Sequence, residues 1–112
     1  MTWRYNTGFF NFSKQTDINQ GVEQYKPTSR AVLLDVRTPQ EYAQGHIPGS
    51  RNIPLQELGG TGKVVNYKET PLFVYCLSSG RSRQAVEVLK QMGYTNVTNI
   101  GGIADYNGKV ER

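Results

Sequence analysis

Leu72-Phe73-Val74-Tyr75-Cys76-Leu77-Ser78-Ser79-Gly80-Arg81-Ser82-Arg83-Gln84-Ala85 is the stretch around which the rest of the chain is arranged. A run of apolar and aromatic residues without polar alternation ends in the chain's one cysteine, a Ser/Gly loop follows, and a helical pattern then continues to Met92. This order reads as buried strand, tight loop, helix. A loop feeding a helix N-terminus leaves the first N–H groups without intrahelical partners, and the helix dipole adds partial positive charge there. A thiol at that point is drawn toward thiolate, the form that attacks an electrophile.

Downstream, the helix is expected from about Ser82 to Met92, with Ala85, Val86, Leu89 and Met92 on its buried face and Gly93 at its end. Val97 to Ile100 reads as a last short strand, and Gly101-Gly102 as the start of a closing turn or helix. Upstream, Ala31 to Val36 is a second unbroken apolar run, a buried parallel strand, and Thr38-Pro39 opens a short helix as N-cap and first helical residue. Gly45, Pro48 and Gly49 mark a turn before a short strand, Ser50 to Ile53, which Pro54 ends. Residues 59–70 form a glycine-rich polar connector with a short helix just before it. Its Gly62-Lys63 pair is no nucleotide phosphate loop, because Glu57 stands where the first glycine belongs and Val64 where a hydroxyl must hold magnesium.

Asp17 reads as a helix N-cap with Gln20 as capping-box partner, Ile18, Val22 and Tyr25 share one face, and Pro27 stops the helix. Residues 1–16, rich in aromatics, form a partly irregular N-terminal segment with a short strand near Phe9 to Ser13. Strands alternating with helices give an α/β sheet, and in such sheets the reactive loop sits at the carboxyl ends of the strands, where Cys76 falls.

At 112 residues, 37% hydrophobic and 20% charged, residues 1–112 read as a single globular domain. The longest apolar run is far short of a membrane span and the N-terminus has no apolar signal core, so the expectation is a cytoplasmic protein with no membrane partner. One cysteine allows no internal disulfide, and with the single His46 it leaves too few ligands for zinc; no metal and no cofactor are expected. A net charge of +4 without a Lys/Arg stripe points to small anions or acidic partners rather than nucleic acid.

Two segments together resemble one family. Asp35-Val-Arg37-Thr-Pro-Gln-Glu41-Tyr-Ala-Gln-Gly45-His46-Ile-Pro-Gly-Ser-Arg51-Asn-Ile-Pro54 is similar, at nearly every position, to the N-terminal signature of rhodanese domains. Tyr75-Cys76-x-Ser78-x-x-Arg81-Ser82 resembles that family's active-site loop, and Gly101-Gly102 its C-terminal motif. The resemblance implies a five-stranded, mostly parallel sheet flanked by helices on both faces. It also implies sulfur transfer through a cysteine persulfide, from a small anionic donor such as thiosulfate to cyanide, a thiol or a protein sulfur acceptor. Ser79 stands where many members have glycine, which would move the loop's left-handed turn one residue on. Leu77 stands where arginine is frequent, and Tyr106 where tryptophan is common.

On this reading Cys76 is the nucleophile, and the N–H groups of Leu77, Ser78, Ser79, Gly80, Arg81 and Ser82 form a nest for the anionic persulfide. Arg81 offers a bidentate fork to a donor's oxygens, the hydroxyls of Ser78, Ser79 and Ser82 can donate to sulfur, and Arg37 lies near the pocket at a strand end. Asp35, Glu41, His46 and Arg51 read as structural. Glu41 is four residues from Arg37 and can pair with it, Asp35 needs Arg51 or backbone N–H groups, and His46 is a turn residue. Two alternatives stay open: a cysteine phosphatase of related architecture, which needs five residues between cysteine and arginine where this chain has four, and a non-catalytic binding or sulfur-relay module.

Overall fold

In the computed structural model, which describes residues 17–112, the apolar runs become the strands of one parallel sheet. In chain order the elements are α1 (Ile18–Tyr25), β1 (Val32–Asp35), α2 (Pro39–Gln44), β2 (Arg51–Asn52), a 3-10 segment (Leu55–Lys63), β3 (Leu72–Cys76), α3 (Gly80–Gln91), β4 (Val97–Gly102) and a 3-10 turn (Ile103–Asp105). The strands lie in the order β2-β1-β3-β4 with every neighbour parallel. Their carboxyl ends, Cys76 included, therefore share one edge. Among the described residues the sheet has four strands rather than five; the remaining candidate, Phe9 to Ser13, lies outside them.

Every residue of β3 is buried because helices cover both faces of the sheet. Leu72, Val74 and Cys76 pack with Ala85, Val86 and Leu89 of α3, while Phe73 and Tyr75 point the other way to Ile18 and Val22 of α1 and to Ile47. The two-residue side-chain period of a strand thus feeds two cores, which is why β3 shows no polar alternation. Gly21 lets α1 lie close on β4, since a Cβ there would collide with Cβ and Cγ2 of Ile100. The Tyr75 hydroxyl donates to Ser50 Oγ and accepts the Ile47 N–H, each at 3.1 Å, and so ties β3 to the turn before β2. Burial pushes the Tyr75 pKa well above its usual value.

Several local expectations are corrected. Asp17 occupies the N-cap of α1 but its side chain accepts no first-turn N–H, and the expected box with Gln20, which is exposed, does not form. The capping box belongs to α2, where Thr38 Oγ1 accepts the Glu41 N–H and the Glu41 carboxylate accepts the Thr38 N–H. The glycines at 59, 60 and 62 run inside the 3-10 segment rather than in an open connector. Leu58 and Thr61, three apart, fall on one side of a three-residue turn and are both buried. Gly101 and Gly102 belong to β4, which continues past Ile100 through a register shift that pairs Asn99 with Val74 but Gly101 with Tyr75. Gly101 takes a φ of 99° there, and Gly93, at 104°, ends α3 as expected. Among the described residues no helix is long and apolar enough to cross a membrane.

Candidate active site

Cys76 ends β3 with its side chain toward α3, and two groups reach its sulfur. The Ser79 N–H donates to Sγ at 2.9 Å, and the Ser82 hydroxyl oxygen lies 3.3 Å away, accepting from the thiol. The chain can turn back this tightly because Ser79 adopts the left-handed conformation, φ 82° and ψ −13°. The turn is therefore not displaced to Gly80, which instead begins α3. Returning the amide of the third residue to the sulfur fixes that backbone shape, whichever residue occupies the position. The N–H groups of Gly80, Arg81 and Ser82, in the first turn of α3, have no intrahelical acceptor, and no side chain caps that helix.

A second layer holds Ser82. Its hydroxyl lies 2.9 Å from Asn99 Oδ1 and 3.0 Å from the Ser79 carbonyl, both acceptors. Asn99 Oδ1 also accepts the Gly101 N–H at 2.9 Å, and the Ser79 carbonyl also accepts the Arg83 N–H at 3.0 Å. Each keeps a partner if the Ser82 hydrogen turns to a thiolate. On the other flank the loop rests on β4. A Cβ at Gly102 would meet the Leu77 carbonyl oxygen and come 2.6 Å from Ser78 Cα, so only glycine fits. That same carbonyl accepts the Ala104 N–H at 3.0 Å. Cys76 itself is 1% exposed, whereas Leu77 and Ser78 form the outer wall of the loop, Leu77 being 43% exposed. Beside that wall lies a cavity of about 380 Å³, lined by Ser78, Ser79, Gly101, Gly102, Ile18, Asp17 and Asp105.

The arginines at this edge are engaged in ways sequence spacing did not suggest. Arg37 is buried, its Nε donating to both Asp35 carboxylate oxygens at 3.0 Å and its second terminal nitrogen to Asp35 Oδ2 at 2.6 Å and to the Gly45 carbonyl at 2.8 Å. Asp35 thus finds its partner two residues on, not at Arg51, which is exposed. The expected pair of Arg37 with Glu41 is not formed. Glu41 receives instead the full fork of Arg81, at 2.7 and 2.9 Å. That guanidinium holds the Glu41 carboxyl down to about 2 against the opposing effect of burial, with the Thr38 N–H and hydroxyl adding to the depression. Arg81, expected to face an incoming anion, is turned to Glu41. His46 stacks on Tyr42 at 3.8 Å, donates from Nδ1 to the Tyr42 carbonyl at 2.9 Å, and forms an antiparallel backbone bridge with Glu111 just before the turn at Pro48 and Gly49 rather than lying in it.

Asn99 and the role of Gly102 were missed from sequence. A polar residue inside an apolar strand, two before a glycine pair, was the available signal. Nothing in the spacing pointed to a Glu41–Arg81 pair, whose members are 40 residues apart. Among the described residues no group of three or more His, Cys, Asp or Glu could hold a metal ion. The arrangement places one buried thiol against the Ser79 N–H and the Ser82 hydroxyl.

Comparison with known proteins gives the same direction. Residues 15–109 match the family model described as Rhodanese-like domain. The chain is 44% identical over 73 residues to the thiosulfate sulfurtransferase PspE of Escherichia coli (strain K12), covering 64% of this chain and 70% of that protein. It is 39% identical over 83 residues to the uncharacterized protein YqhL of Bacillus subtilis (strain 168), covering 73% of this chain and 65% of YqhL, so it spans about two thirds of the length of these relatives. Among solved structures, a rhodanese with anions from E. coli superposes with a TM-score of 0.69 at 38% identity, covering 73% of this chain and 98% of that one.

Proposed function

The chain belongs to the rhodanese-like domain family, and on that premise we propose that it is a sulfurtransferase carrying a sulfane sulfur on Cys76. The observation that carries this reading is the Ser79 N–H at 2.9 Å from Sγ, at the mouth of an uncapped helix. That arrangement stabilises an anion on sulfur. Thiolate attacks the outer sulfur of thiosulfate, the sulfur–sulfur bond of the donor breaks, and sulfite leaves with the electron pair. The product is a persulfide whose terminal anion takes the loop N–H groups and the Ser82 hydroxyl as donors. Cyanide or a thiol then attacks that terminal sulfur and restores the thiolate; a protein acceptor would do so in the same way.

Because Cys76 is 1% exposed, a donor reaches it where Leu77 to Ser79 part, and those residues form the exposed rim of the site. A phosphatase is less well supported, because the arginine that would clamp a phosphoryl group is held by Glu41.

The test is direct. Incubation with thiosulfate should add one sulfur atom by intact mass, reversed by a reducing agent, and cyanide should then release thiocyanate. Both signals should vanish in Cys76→Ser. Sulfur loading that survives this substitution would overturn the assignment, and phosphate release from an aryl phosphate without loading would favour the phosphatase.

A further inference from the structure

Building on the sulfur-transfer reading, the geometry points to Glu41 as a specificity-determining residue: by occupying the Arg81 fork, it withholds that cation from oxyanionic donors and biases Cys76 toward persulfide donors of low charge. Arg81 stands on the first turn of α3, on the loop that holds Cys76, and is the natural cation for a donor's sulfonate oxygens. Its two terminal nitrogens are both committed to Glu41, at 2.7 and 2.9 Å. A sulfonate needs that same fork, and exchanging one anion for another leaves Arg81 no better off.

Glu41 is not free to withdraw. Its Oε1 also accepts the Thr38 N–H at 2.9 Å and the Thr38 hydroxyl at 3.1 Å, so displacing it breaks the capping box of α2. No second cation stands in for Arg81 in the neighbouring pair, since Arg37 is buried against Asp35 and the Gly45 carbonyl. Arg51 and Arg83 are exposed, where solvent and salt screen them. The residue after Cys76 is the apolar Leu77, 43% exposed, and the cavity beside Ser78 and Ser79 is lined in part by the acidic residues Asp17 and Asp105. At the reactive loop Arg81 is thus already paired with a carboxylate. Thiosulfate must bring two negative charges there without a partner, whereas an alkyl persulfide brings one at most and an apolar stem suited to Leu77.

For that donor the step balances without any oxidant. The Cys76 thiolate bonds to the outer sulfur of R–S–SH as the donor's S–S bond breaks. The departing thiolate takes the electron pair and then the proton of the transferred sulfur, leaving R–SH and the Cys76 persulfide anion.

The experiment compares sulfur loading of Cys76, followed by mass, from thiosulfate and from the persulfide of 2-mercaptoethanol. Glu41→Gln keeps an acceptor for the capping box but removes the charge. It should raise the thiosulfate-to-persulfide ratio of kcat/KM by about tenfold at low salt, the size of one charge-assisted contact at a half-exposed site. The gain should disappear in the Glu41→Gln, Arg81→Gln double variant. Equal loss for both donors would make Glu41 merely structural and overturn the proposal, as would an unchanged ratio. A second measurement needs no variant: sulfate at about 10 mM should slow alkylation of Cys76 by uncharged iodoacetamide less than twofold, against the strong protection a free arginine fork gives. Strong protection would overturn the proposal. Failure of both donors to load the unmodified protein is a separate outcome, which removes the sulfur-transfer reading itself.

Discussion

Ser79 shows how a single backbone angle serves chemistry at the expense of stability. A residue with a side chain held at φ 82° is strained by roughly 1–2 kcal/mol, and glycine relieves that while gaining freedom in the unfolded chain. Ser79→Gly should therefore raise stability by about 1 kcal/mol in urea unfolding. Gly102 is the opposite case, because a methyl group there collides with the Leu77 carbonyl. Gly102→Ala should lower stability by about 3 kcal/mol and slow alkylation of Cys76 as the loop is pushed outward. At this scale the place of Cys76 was legible, since an apolar run, a Ser/Gly loop and a helical pattern follow one another there. Ser79 as the left-handed residue was not, because Gly80 beside it offered the conformation at no cost, yet the return of an amide to the sulfur fixed the earlier position. Arg81 was read for its charge, and its partner came from another element entirely.

Among the elements, α2 ties its own cap to the reactive loop through Glu41. Its folded pKa lies near 2, below the ordinary value of 4.5, so its contribution is complete above about pH 4.5 and is lost as pH falls through 2. Urea midpoints should fall across that window in the unmodified protein and fall less in Glu41→Gln. Thr38→Ala, which removes the cap, should cost about 1 kcal/mol at neutral pH. In β3, Tyr75→Phe leaves the buried Ile47 N–H without its partner and should cost about 1–3 kcal/mol in the same measurement. Sequence placed most elements within a residue or two, because apolar runs, Pro39 and Gly93 are strong local signals. Capping was assigned to the wrong helix. Asp17 and Gln20 have the right spacing, but so do Thr38 and Glu41, and only the latter carboxylate turns back on its own cap.

For the molecule as a whole, strand alternation with helices indicated a parallel sheet, and the rule that such sheets react at their carboxyl edge located Cys76 correctly at that edge. The order β2-β1-β3-β4 was beyond periodicity, which reports which face is buried but not which strands are neighbours. With β3 between β1 and β4 and buried on both faces, its amides should exchange hydrogen most slowly of all, and only through global opening; faster exchange there than in α1 would contradict this arrangement. The same centrality bears on biosynthesis. When a ribosome has released residues up to about 70, β1 has, among the described residues, only the two-residue β2 beside it, and neither α1 nor the first apolar run has the β3 and β4 surface it will finally cover. Cooperative folding must wait for residues 72–102, so the nascent chain passes through a stage with its greasy segments open to chaperones, and products truncated before β3 are degradation substrates rather than smaller working units.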